Sequence, residues 1–226
     1  VSKFDISNVF SISGMFDGCK SLTSLDVSHF KSNVLRGYTD YMFRNCESLT
    51  SLDLSYFKTN EVTSMSRMFE GCKNLQTIKF GVDFETSAVN SMSYLFYKCE
   101  KLKQIDLSRF DTGLVQTTTH MFDSCISLTS LSFNEIKFDT SENKDFSYMF
   151  NNCTSLTNLN ISAFKTNKAK DMSFMFSNCS SITNISLKFD TTSVTTMESM
   201  FNTCKDLKYL DLTSFNTETC KKFTNM

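Results

Sequence analysis

Met68-Phe69-Glu70-Gly71-Cys72-Lys73-Asn74-Leu75 returns through this chain with its apolar letters held and its polar letters changing. Written as Phe-x-x-Cys-x-x-[Leu/Ile], it occurs eight times: Phe16/Cys19/Leu22, Phe43/Cys46/Leu49, Phe69/Cys72/Leu75, Phe96/Cys99/Leu102, Phe122/Cys125/Leu128, Phe150/Cys153/Leu156, Phe176/Cys179/Ile182 and Phe201/Cys204/Leu207. Successive cysteines stand 27, 26, 27, 26, 28, 26 and 25 residues apart. A fixed period in the roughly 20–29-residue range is the mark of a solenoid coil.

Outward from the quoted stretch, each unit reads Phe-[Asp/Lys]-Thr-[Ser/Asn]-x-Val-x-x-Met-x-x-Met-Phe-x-x-Cys-x-x-Leu-x-x-Leu-x-Leu-Ser, and the next Phe closes it. Val62, Met65, Met68 and Phe69 are spaced by three and four, which predicts a short helical or 3-10 segment with one buried stripe. After the cysteine the period shortens to two, as in Leu52-Asp53-Leu54-Ser55, which predicts a short strand with one buried face. The return between strands is too long for hairpins, so the strands are expected to stack in parallel in one curved sheet. The expected fold class is therefore an α/β solenoid: a right-handed superhelix of about eight coils of ~26 residues, with one parallel sheet on one face and short helical or 3-10 segments on the other. One solenoid over residues 1–226 is expected. Both ends fall inside a repeat, which reads as an excerpt of a longer array.

Charge and cysteine usage narrow the function. Lys plus Arg at 23 nearly balance Asp plus Glu at 24, so electrostatics point to no nucleic-acid partner. No run of eighteen or more apolar residues is present, and no membrane insertion is expected from this segment. Eight of nine cysteines share one repeat position: Cys19, Cys46, Cys72, Cys99, Cys125, Cys153, Cys179 and Cys204. Stacked at the strand spacing, their beta carbons stay too far apart for disulfides, so a buried thiol ladder is expected. Without closely spaced cysteine pairs no zinc site is expected, and no cofactor either. Cys220 stands off the column, where a small buried thiol and an interchain disulfide are both open.

The outward strand positions supply the candidate binding face. One ladder runs Ser24, Ser51, Thr77, Gln104, Ser130, Asn158, Asn184 and Tyr209; its neighbour runs Asp26, Asp53, Lys79, Asp106, Ser132, Asn160, Ser186 and Asp211. A third carries Ser28, Ser55, Gly81, Ser108, Asn134, Ser162, Lys188 and Thr213. Lys79, between Asp53 and Asp106, is placed to neutralise both. A solvated ladder held by side-chain hydrogen bonds, a protein- or glycan-binding face and calcium bridging by the acidic coils are the three readings of this surface. The longest turn, Ser132 to Lys137, is expected to bulge. Four Asn-x-Ser/Thr sequons, at Asn152, Asn160, Asn178 and Asn184, are possible glycosylation acceptors, with Asn160 and Asn184 on the strand face. His29 and His120 occupy unrelated repeat positions, and no phosphate loop, nucleophile elbow or zinc-protease motif occurs, so no enzyme is expected.

Ser21-Leu22-Thr23-Ser24-Leu25-Asp26-Val27-Ser28 and Phe189-Asp190-Thr191-Thr192-Ser193-Val194-Thr195-Thr196-Met197 closely resemble the repeat of the BspA-like leucine-rich repeat proteins, in the subgroup built on Phe-Asp-Thr-Ser and Met-Phe-x-x-Cys units. The resemblance runs through the whole chain. It implies a secreted or cell-surface protein of bacteria, mycoplasmas or protists, engaged in adhesion or host-protein binding and without enzyme activity. Leu95 in place of Met, and Lys79, Ser132, Asn160 and Ser186 in place of the strand Asp, depart from the pattern. The expected function is an interaction or adhesion module binding a protein or glycan through the polar strand face. The alternative is a scaffold solenoid that self-associates end to end or laterally. A reduced thiol ladder also suits an intracellular setting.

Overall fold

In the computed structural model, residues 6, 9–28, 30 and 35–226 are described; His29, weighed with His120 in the catalytic reading, lies outside them. Among the described residues eight short strands form: β1 (Arg36–Tyr38), β2 (Ser51–Leu54), β3 (Glu61–Ser64), β4 (Thr77–Phe80), β5 (Gln104–Leu107), β6 (Ser130–Phe133), β7 (Asn184–Ile185) and β8 (Tyr209–Leu210). Every pairing is parallel. β2 pairs with β4, β5 with β6 and β7 with β8, matching Ser51 to Thr77, Gln104 to Ser130 and Asn184 to Tyr209. Alternation places Leu52, Leu54, Ile105 and Leu107 in the core and Asp53 and Asp106 outside.

The sheet departs from expectation in its continuity. Three separate doublets stand where one curved sheet was expected, because the ladder does not cross from β4 to β5 or from β6 to β7. The opposite face carries the longer column: β1 pairs with β3, and single parallel bridges then join Ser64, Ser91, Thr117, Asp145, Asp171, Thr196 and Lys222. From Tyr38 in β1 to Lys222 that column has eight rungs and makes seven steps from coil to coil. About seven turns therefore form rather than eight, the first copy of the repeat contributing a turn segment without a strand among the described residues.

The expected helical face is also corrected: no helix or 3-10 segment occurs among the described residues. The cause lies in the backbone around Met-Phe. Tyr41, Arg67, Tyr94, His120, Tyr148, Phe174 and Ser199 have φ of 54–60°, and four residues later Asn45, Lys98, Ser124, Asn152, Asn178 and Thr203 have φ of 57–62°, with Gly71 at 70°. Left-handed residues interrupt an α-helix of L-amino acids. The alternation of hand splits the hydrogen bonds into two sets. Met68, Glu70 and Cys72 donate to Met65, Arg67 and Phe69 in their own coil, whereas Arg67, Phe69 and Gly71 donate to Ser93, Leu95 and Tyr97 in the next. A chain of tight turns thus keeps the three-residue apolar spacing while stitching coil to coil.

Side chains continue the stitching inside. The rings from Phe16 through Phe43, Phe69, Phe96, Phe122, Phe150 and Phe176 to Phe201 stack with centroids 5.4–5.7 Å apart and planes within 12°. Beside them Thr59, Thr86, Thr112, Thr140, Thr166 and Thr191 are buried, and each hydroxyl donates to a carbonyl of the following coil at 2.6–3.0 Å. Buried polar groups need such partners. This threonine column is visible in the repeat consensus, yet its role is a structural finding.

The cysteine column lies next to the rings. The thiols of Cys46, Cys72, Cys99, Cys125, Cys153, Cys179 and Cys204 each donate to the carbonyl of the stacking Phe one coil back, at 3.0–3.2 Å. All nine cysteines are free; Cys19 is exposed, and Cys204 and Cys220 are half-buried. Burial pushes the Cys46 thiol up to about 11, and it raises the thiols of Cys72, Cys99, Cys125, Cys153 and Cys179 further still. An acid with a raised folded pKa stabilises the fold below its unfolded value, and that stability is lost as pH rises above it. Urea unfolding between pH 8 and pH 11 is therefore expected to show stability falling from about pH 9, by up to roughly 1.4 kcal/mol per pH unit for each buried thiol. Replacing Cys99 by Ala should make that decline shallower, and an unchanged slope would refute the assignment.

Candidate functional site

The strand face is assembled by the doublets. Asp26, Asp53, Lys79, Asp106, Ser132, Asn160 and Ser186 are exposed along it, and Asp211 is half-buried. Gln104 and Tyr209 stand exposed on the adjacent ladder. The recurring acid has a local task. Asp26, Asp53, Asp106, Asn160 and Asp211 each accept, through Oδ1, the N–H of the residue two positions on, at 2.8–3.2 Å. This is an Asx turn, which ends the strand and swings the chain toward the closing Phe. The Thr213 N–H and hydroxyl hold the Asp211 carboxyl below its ordinary value.

Lys79 was placed by sequence between two acids, but its ammonium pairs with Asp53 at 3.1 Å and not with Asp106. The reason is the interruption between β4 and β5, which carries Asp106 away. Coils are joined on both sides of that gap: the Lys101 N–H donates to the Lys73 carbonyl at 3.0 Å before it, and the Thr86 hydroxyl donates to the Asp111 carbonyl at 2.8 Å after it. Phe80 occupies the inward position filled by Leu54 in β2 and Leu107 in β5. Its ring wedges between Phe84 at 4.6 Å and Phe110 at 5.1 Å. A ring where its neighbours carry leucine needs more room, and core packing transmits that volume to the backbone.

The opening forms a groove of about 600 Å³ on the polar face, with Ile78 and Ile105 at its floor and Gln76, Thr77, Lys103, Gln104, Asp106, Ser130 and Ser132 around it. Two smaller hollows, of about 190 and 270 Å³, follow the same coil boundary past Phe80 and Arg109 to Phe84 and Glu85. Sequence reasoning placed the polar residues on one face but missed the groove. The available signal was the Phe at positions 80 and 133, where β2 and β5 carry leucine; the ladder breaks after both of these strands.

Other anticipated features lie elsewhere. The 132–137 turn bulges, with the Asn134 side chain accepting the N–H groups of Ile136 and Lys137, and Ile136 is 88% exposed. Asn160 and Asn184 are exposed, whereas Asn152 and Asn178 are half-buried in the left-handed column, the Asn178 amide donating to Asn152 Oδ1 at 2.6 Å. His120 stacks between Tyr94 and Tyr148 at 4.4 and 4.3 Å, and the stack extends to Phe174 and to the Arg67 guanidinium over Tyr94. Among the described residues, no three His, Cys, Asp or Glu side chains gather as a metal site would require.

No curated protein matches the chain. Among solved structures, a leucine-rich cell surface protein from Faecalibacterium prausnitzii A2-165 is similar over 88% of this chain and 56% of its own, at 18% identity and a TM-score of 0.49. A leucine-rich repeat protein from Bacteroides ovatus ATCC 8483 is similar over 94% of this chain and 62% of its own, at 18% identity and a TM-score of 0.40. The chain thus spans about three fifths of the length of these neighbours. A family model matches residues 1–78, 38–155 and 127–226, in keeping with the repeat resemblance. By that match the chain belongs to the family described as "Mycoplasma protein of unknown function, DUF285".

Proposed function

We propose that this chain is a non-catalytic interaction module of a cell-surface or secreted protein, presenting its polar strand face to a protein or glycan. The observation that carries the reading is the groove between β4 and β5, which makes a flat ladder locally concave. Concave sites with a few polar groups above an apolar floor are where ligands are held. A surface setting agrees with the leucine-rich repeat resemblance. Among the described residues no helix is long and apolar enough to cross a membrane.

The test is binding of the whole chain to an array of immobilised glycans and purified extracellular proteins. Two variants are compared, Ser130→Glu on the strand face and Gln116→Glu on the opposite face. Saturable binding to at least one component is expected, weakened at least about tenfold by the first variant, as for a desolvated charge at an interface, and unchanged by the second. Binding lost equally in both variants, or found in neither the parent nor the variants, would reject the strand face as the working surface.

A further inference from the structure

We infer that the groove between β4 and β5 takes a short neutral oligosaccharide, bound face-on across the gap. This inference rests on the interaction-module reading and names the ligand for it. Three observations carry it. First, the side chains of Gln76, Thr77, Gln104, Ser130 and Ser132 have no hydrogen-bond partner within the described chain, and Asp106 commits only one oxygen, to the Ser108 N–H. Amides and hydroxyls present donor and acceptor together, the combination that vicinal sugar hydroxyls match. The free oxygen of Asp106 is held in place by its turn, so it needs little ordering to accept a hydroxyl.

Second, the formal charges at the groove, Lys103 and Asp106, cancel. Neither a polyanion nor a cation is selected, whereas a neutral polar ligand meets no opposing field. Third, Ile78 and Ile105 form an apolar floor beneath the polar rim, suited to the C–H face of a pyranose ring. The closed ends of the gap exclude a different occupant. An extended peptide entering as a new strand would have to run out through the Lys73–Lys101 and Thr86–Asp111 hydrogen bonds, and both are intact. A ligand that stays on the face and is only a few rings long avoids both closures.

The experiment is a titration of the uniformly nitrogen-15-labelled chain, followed by amide shifts, with maltotriose, cellotriose and triacetylchitotriose as neutral probes. Sialyllactose serves as the charged probe and a capped tetraglycine as the peptide probe. At least one neutral trisaccharide is expected to shift the amides of Thr77, Gln104 and Ser130 and to bind more tightly than sialyllactose. Gln104→Ala and Asp106→Asn, both at exposed positions, should each weaken that binding about tenfold, the effect of losing one good hydrogen bond. Lys168→Ala, in an exposed ion pair with Glu142 on another part of the solenoid, should leave it unchanged. Binding by none of the neutral probes, shifts confined to other coils, equal binding by both groove variants, or preferential occupation by the peptide would overturn the inference. In those cases the interaction-module reading stands or falls separately, on whether a protein component of the array is still lost with Ser130→Glu.

Discussion

Replacing Phe96 by Ala should cost about 3–5 kcal/mol of folding stability, the range for deleting a fully buried aromatic ring. Phe96 has no solvent exposure, and its ring stacks on Phe69 at 5.4 Å and on Phe122 at 5.5 Å. The cavity would open in the middle of a column whose members touch neighbours on both sides, so two coil interfaces lose contacts at once. In a solenoid, stability is close to a sum of coil and nearest-neighbour terms. The same change at Phe16, which is only half-buried and has a column partner on one side, Phe43 at 5.7 Å, should therefore cost less than half as much. Phe96→Leu keeps most of the volume and should cost about 1.5 kcal/mol or less. Urea unfolding followed by circular dichroism measures all three. Equal losses at Phe16 and Phe96 would show that the column does not couple the coils.

A second large effect is expected at Asp123. Its side chain is 5% exposed, with Oδ2 at 2.6 Å from His120 Nδ1, while Oδ1 accepts the Ser124 hydroxyl and the Asn151 amide, each at 2.9 Å. Asp123→Ala leaves three polar groups without an acceptor, one of them an imidazole clamped between two tyrosine rings. Breaking a buried hydrogen-bonded acid out of its network costs about 3 kcal/mol. Asp123→Asn keeps the size and one acceptor oxygen and should retain a good part of that stability. Because His120 also holds the Tyr94–Tyr148 stack together, the alanine variant should lose the ring-current shifts of the His120 protons in the NMR spectrum. A variant of unchanged stability with those shifts intact would mean that the carboxylate is dispensable.

The His120 network shows where reading by residue type stops. The sequence displays two histidines at unrelated repeat positions, which gives no expectation of a paired catalytic use and conceals the stack. Tyr94, His120, Tyr148 and Phe174 share one left-handed position, and their chemical variety hides a column in which any flat ring serves. The helical expectation failed for a related reason. Spacings of three and four fit a helix, and they fit a run of tight turns equally well. The Asn or Gly that precedes Cys19, Cys46, Cys72, Cys153 and Cys179 was the clue to a left-handed residue, which glycine and asparagine enter most readily.

What the sequence alone determined is the period, the identity of the inward columns and the parallel direction of stacking. Each follows from apolar residues that return at one phase and can be buried only against their own copies. The tertiary structure alone decided that the Met-Phe segment is a ladder of turns, that the strands close into doublets, and that a groove opens between β4 and β5. These depend on whether one coil's backbone lies within hydrogen-bonding reach of the next. That distance is set by how rings such as Phe80 pack between coils, a relation among residues some twenty-six positions apart that no single repeat contains.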